Sequence, residues 1–209
     1  MHLRKFLLTA LLLLVVALPI SGSVNAEASL PVTGEVAVIP DDASIATNLT
    51  EFIGLVKNGN ADTLVGVFVP EILALPVAQQ PSGNASYVSE QPNVVTQFRM
   101  ASEYGTTGLL AHNTLSGALF FNINVGDQVV LVYGDGLTRQ YQVTRIDSFQ
   151  ALSPANPYSD FLDLSTADRR LTAAELFGEV YRGGDQVIFQ TCIAGDGDPS
   201  WGRLFITAE

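Results

Sequence analysis

Val187-Ile188-Phe189-Gln190-Thr191-Cys192 and Arg203-Leu204-Phe205-Ile206 are two apolar runs near the end of the chain. Their length and their β-branched and aromatic content read as the last two strands, Gln186 to Thr191 and Arg203 to Thr207. The first delivers the chain's one cysteine, Cys192, and Arg203 opens the second eleven residues later. His112, the one histidine outside the first 26 residues, follows a third short apolar run, Leu109-Leu110-Ala111. A thiol, an imidazole and a guanidinium, each beside a strand-like segment, are the parts of a nucleophilic acyl-transfer site. The bland alternatives are a cysteine that is merely a small buried hydrophobe, a structural histidine, and an arginine that pairs with Asp196 or Asp198 on the surface. Trp201 is expected to fill the core.

Upstream the chain alternates short strands with few helices. Ala43 to Lys57 places Ile45, Leu49, Phe52, Ile53 and Val56 at helical spacing, with Asp42 as N-cap and Asn58-Gly59-Asn60 as the stop. Leu64 to Val69 and Ile72 to Leu75 read as strands on either side of Pro70, residues 79–93 as loop, and Val94 to Tyr104 as a short helix. Gln128 to Tyr133 and Arg139 to Ile146 predict a hairpin around Gly134-Asp135-Gly136. Residues 150–171 read as irregular, and Thr172 to Tyr181 as a helix closed by Gly183-Gly184. The expected fold is mainly β, a closed β-barrel with a few short helices, one of them in the loop before the Cys192 strand.

Residues 1–26 read as an export signal: Arg4 and Lys5, the apolar stretch Phe6 to Ile20, then Val24-Asn25-Ala26 before the cut. Left uncleaved, the same segment would anchor the protein to the membrane. Residues 27–62 form an arm and a helix, and 63–209 the catalytic domain. Of the 209 residues, cleavage after Ala26 leaves 183, enough for one domain with a sizeable core. Two of the ten basic residues go with the signal, so 8 Lys+Arg face 21 Asp+Glu, a balance of about −13. Such a surface repels phosphate backbones and makes nucleic acid an improbable partner. Lys57 is the one lysine left, which nearly excludes lysine chemistry, and one cysteine with one histidine cannot build a zinc cage. No cofactor and no metal are expected, and a monomer is.

At these residues the chain resembles a sortase, a bacterial cysteine transpeptidase. The resemblance is carried by Gln190-Thr191-Cys192 with Arg203 on the next strand, and by Gly108-Leu109-Leu110-Ala111-His112-Asn113 eighty residues before the cysteine. Val125-Gly126-Asp127-Gln128-Val129-Val130 with the hairpin after it, and the order His, Cys, Arg, complete it. It covers roughly residues 63–209. Two positions depart from the family: Ile188-Phe189 stands where a Thr-Leu pair is usual, and Ala111 where Gly is frequent.

The resemblance implies Cys192 as nucleophile, His112 as general acid and base, and Arg203 as donor to the substrate carbonyl or its oxyanion. Thr191 is a backbone and packing residue with a hydrogen bond available to substrate. The implied partners are the peptide sorting signal of surface proteins and an amine acceptor, met at the cell surface. Water in place of the amine gives hydrolysis. The alternative readings are a non-catalytic surface binding module on the same fold and a secreted cysteine hydrolase. Leu30-Pro31-Val32-Thr33-Gly34 matches the Leu-Pro-any-Thr-Gly signal that many sortases cut, but it stands in the N-terminal arm without the apolar span and basic tail of a sorting substrate. Asp160, Asp163 and Asp168 lie where some sortases bind calcium, yet their spacing follows no recognised calcium loop.

Overall fold

Residues 48–166 and 168–209 are described by a computed structural model. The export segment, the 27–42 arm with its Leu30–Gly34 motif, and the Asp42 cap lie outside the described residues. The first described element is a helix, α1 (Leu49–Val56), capped by Asn48, whose side chain accepts the Glu51 N–H. Phe52 and Val56 turn one face of α1 onto Val65, Phe68, Val130 and Val132.

Ten strands follow. β1 (Leu64–Val69) and β2 (Leu73–Gln79) form a hairpin over Pro70, and β2 runs past the expected end through Pro76. The helix expected from Val94 to Tyr104 is a correction. Val95–Phe98 is strand β3, and only Arg99–Ser102 makes a helical turn, α2. Val94-Val95-Thr96 is a β-branched run, stiff at χ1 and suited to a pleated surface. It pairs with β2 on one side and with β4 (Thr107–Leu110) on the other. A 3₁₀ helix, Ser116–Asn122, leads to the hairpin of β5 (Gln128–Tyr133) and β6 (Thr138–Ala151). The segment expected to be irregular contains the end of β6 and two short strands, β7 (Phe161–Asp163) and β8 (Arg170–Leu171). Helix α3 (Ala173–Tyr181) starts at a capping box in which Thr172 and Glu175 satisfy each other's backbone. The chain ends with β9 (Val187–Gly195) and β10 (Asp198–Ala208).

The strand order β10-β9-β4-β3-β2-β1-β5-β6 closes on itself, because β10 also pairs with β6. The result is a closed eight-stranded barrel, with β7 and β8 appended beyond β6. Alternate residues of each strand fill the inside, among them Val67, Leu75, Leu109, Leu131, Phe189 and Ile206. The opposite parity packs a second core outside the wall, where Leu110, Ile188 and Phe205 meet Leu176, Phe177, Val180 and Tyr181 of α3. Among the described residues no helix is long and apolar enough to cross a membrane.

Candidate active site

Three neighbouring strands, β10, β9 and β4, set the site. In the antiparallel β9–β10 ladder Arg203 stands directly opposite Cys192. β4 runs parallel to β9 with Leu110 opposite Gln190, and the ladder continues as the Ala111 N–H donates to the Gln190 carbonyl at 3.2 Å. His112 follows this last bond, two residues past the end of β4. Arg203 and Cys192 therefore stand side by side on the wall, at a strand spacing of about 4.8 Å, and β4, on the other side of β9, leads to His112. β9 continues to Gly195, so Cys192 lies inside a strand and not at its end, as the sequence suggested.

Side-chain alternation decides which way the pair faces. Val187 and Phe189 point into the barrel and Ile188 points out. Cys192 shares the outward parity. It opens into a cleft of about 460 Å³ lined by Phe98, Leu110, Gln190, Arg203 and, from the 81–93 loop, Ala85, Ser86 and Val88. Thr191 has the inward parity. Its hydroxyl donates to the Ala111 carbonyl at 2.9 Å, tying the strand of the cysteine to the strand of the histidine.

Cys192 is 2% exposed, at the base of this cleft. Burial pushes its thiol above the ordinary range, and Asp198 adds to this. The Arg203 charge and a hydrogen bond from the Ser200 hydroxyl work in the opposite direction without overcoming burial. The resting group is thus a protonated thiol. Because the folded state keeps the proton where an unfolded thiol has lost it, stability falls as pH rises above the free-thiol range. The labelling expectation has the same origin. Iodoacetamide should alkylate native Cys192 more slowly than the denatured chain at neutral pH, and the native rate should keep rising beyond the pH at which a free thiol levels off. A native rate equal to the denatured one would show that burial does not govern this thiol.

Arg203 is buried at 3% exposure. Its Nη1 donates to the carbonyls of Ser200 at 2.7 Å and Gly202 at 2.8 Å, where the β9–β10 register shifts. Nε and Nη2 carry no hydrogen bond among the described residues and remain for the cleft that Arg203 lines. Arg203 pairs with neither expected carboxylate. Asp196 accepts the Trp201 indole N–H at 2.9 Å, and Asp198 accepts the Ser200 N–H at 2.7 Å. Trp201 is a correction: it is half-buried against Gly195 at the hairpin tip, outside the core clusters. A cross-strand site at that tip leaves the large ring no interior to fill.

His112 is partly exposed and is not among the residues lining the cleft. Its backbone is firmly held. The Leu115 and Gly117 N–H groups donate to its carbonyl at 2.9 and 3.0 Å, and the Asn113 side chain donates to the Pro199 carbonyl at 2.9 Å. Gly117 fits closely over this junction: a Cβ there would meet the Thr191 hydroxyl and stand 2.7 Å from the His112 carbonyl oxygen and 2.8 Å from that of Ala111. Only the topology brings Gly117 and Asn113 near; sequence reasoning passed over Gly117 and quoted Asn113 without a role. It quoted Gln190 without a role, although a polar residue two before the cysteine, on its face, is a visible signal.

Two of the three acids considered for calcium are engaged otherwise. Asp163 accepts from Ser165 and Arg169, and the Ser165 hydroxyl first, then Arg169, hold its carboxyl at about 2. Asp160 accepts from Arg170 at 2.7 Å. Among the described residues no cluster of three or more His, Cys, Asp or Glu could hold a metal ion.

No protein-family model matches the chain, and no curated protein matches its sequence. Solved structures similar in fold include sortase C1 of GBS Pilus Island 1, with 20% identity, a TM-score of 0.44, and coverage of 69% of this chain and 63% of that one. Sortase A from Corynebacterium diphtheriae has 12% identity and a TM-score of 0.45, over 72% of this chain and 61% of that one. Sortase C1 from Streptococcus suis has 16% identity and a TM-score of 0.46, over 77% and 76%. The chain thus spans less than two thirds of the first two.

Proposed function

We propose that this chain is a sortase-type cysteine transpeptidase that cleaves a peptide sorting signal at the cell surface. The observation that supports the reading most is Arg203 directly opposite Cys192 at one cleft, with the strand that leads to His112 paired on the other side of β9. In the first half-reaction Cys192 gives its proton to His112, and Sγ bonds to the scissile carbonyl carbon. The C–N bond breaks, and His112 returns the proton to the departing amine. The acyl half stays as a thioester. An incoming amine then gives a proton to His112 as its nitrogen bonds to the same carbon, the C–S bond breaks, and His112 returns the proton to the sulfur. Arg203 donates Nε and Nη2 to the oxyanion in both halves. Thr191 acts by position: its bond to the Ala111 carbonyl keeps the strands of thiol and imidazole in register.

The raised thiol pKa calls for activation by the bound substrate. The cost of deprotonation falls when Arg203 and the imidazole close around the reacting carbonyl. The same burial favours the second reading, a binding module whose cysteine is inert. A peptide library incubated with and without triglycine separates the readings. Transpeptidation yields products heavier by the added amine, and hydrolysis yields the free acid only. A library left intact under both conditions would support the binding module.

A further inference from the structure

We propose that Gln190 is a substrate-positioning residue whose carboxamide nitrogen donates to a main-chain carbonyl of the extended chain received by the cleft. The inference rests on the reading of Cys192 as nucleophile. Of the outward positions leading to Cys192 along β9, Ile188 is apolar and buried, and Gln190 is the polar one. Its Oε1 accepts from the Tyr181 hydroxyl. Tyr181 is 1% exposed, with its ring 5.2 Å from those of Phe98 and Phe177 and 6.3 Å from that of Phe205. A phenol sealed among aromatic rings keeps its proton and serves as donor, so the group it meets on Gln190 is the oxygen. That contact fixes the orientation of the amide and leaves Nε2 without a partner among the described residues, on a side chain that lines the cleft.

The spacing suits a peptide. Gln190 and Cys192 are two strand residues apart, roughly 6.6 Å. In an extended chain alternate carbonyls point the same way at that repeat. With one carbonyl at Cys192, the carbonyl two residues before it arrives at Nε2. The cleft beside it is mostly apolar, with Phe98, Leu110 and Val88 next to the Ser86 hydroxyl, so a substrate carbonyl there gives the amide N–H an acceptor that it does not have among the described residues.

The test reads alkylation of Cys192, not turnover. Acetyl-Ala-Ala-Ala chloromethyl ketone carries the carbonyl in question; an analogue replaces the carbonyl of its first alanine by a methylene; iodoacetamide is too short to reach Gln190. Gln190→Met and Gln190→Glu, both lacking the donor, should each lower the rate of the full reagent about 10-fold. They should leave the analogue and iodoacetamide within about 2-fold of wild type. Tyr181→Phe frees the amide to rotate and should cost about 3-fold with the full reagent alone. Equal losses with all three reagents, or no loss with any, would overturn the role of Gln190 while leaving the nucleophile intact. Failure of all three reagents to label wild-type Cys192 would overturn the nucleophile reading and this proposal with it.

Discussion

Cys192→Ala should abolish cleavage of every peptide that the wild-type protein processes, a loss of at least about 10⁴-fold. No other group can take over. The protein has no second cysteine, and Lys57 sits at the end of α1, outside the cleft lining. The Ser200 hydroxyl, on the strand next to the thiol, is a weak nucleophile at its own pKa. Removing one buried sulfur costs the fold only about 1 kcal/mol, so the variant should remain folded at assay temperature. Product masses from the peptide library check the expectation alongside a thermal melt. Cleavage at the wild-type rate by a folded Cys192→Ala protein would remove the thioester chemistry altogether.

Gly117→Ala carries the largest expected cost to stability. The added methyl would press on the Thr191 hydroxyl and on two carbonyl oxygens already used in hydrogen bonds, and backbone cannot give way as a flexible side chain can. Overpacking of this kind costs about 3 kcal/mol, which for a domain of this size lowers Tm by roughly 10 °C. The strain falls on the link between β9 and the His112 segment, so peptide cleavage should also drop at temperatures where the variant is still folded. Thr191→Ala removes one of the three obstacles, and the double variant should regain part of the lost Tm. A Gly117→Ala protein that melts within 2 °C of wild type, a shift worth only about 1 kcal/mol, would show that the junction is looser than its geometry indicates.

Patterns carried by neighbouring residues were readable in the sequence. The apolar runs around Cys192 and Arg203, the hairpin from Gln128, and the helix expected from Thr172 to Tyr181 all depend on local alternation or spacing, and all are present. Val94 to Phe98 was misread because a run of apolar residues too short for a clear period fits helix and strand alike; its parallel partner β2 decides it. The closure of the barrel was expected only as a type of fold. The pairings that achieve it, β10 with β6 and β4 with β9, join residues far apart in the chain. The same holds for the site. Residue chemistry singled out Cys192, His112 and Arg203, but the burial that holds the thiol neutral depends on the 81–93 loop and on Phe98, which no spacing along the sequence brings to it.

β10 is hydrogen-bonded on both sides, to β9 and to β6, from Gly202 to Ala208. The strand that seals the cylinder is therefore also the mount of the guanidinium, and any loosening large enough to displace that charge would unseal the cylinder too. Evolutionary latitude is left to the opposite bank, where Ala85, Ser86 and Val88 come from a loop and not from the wall. A lineage bearing this scaffold could reshape the cleft by redrawing that bank, with the anchored charge left untouched.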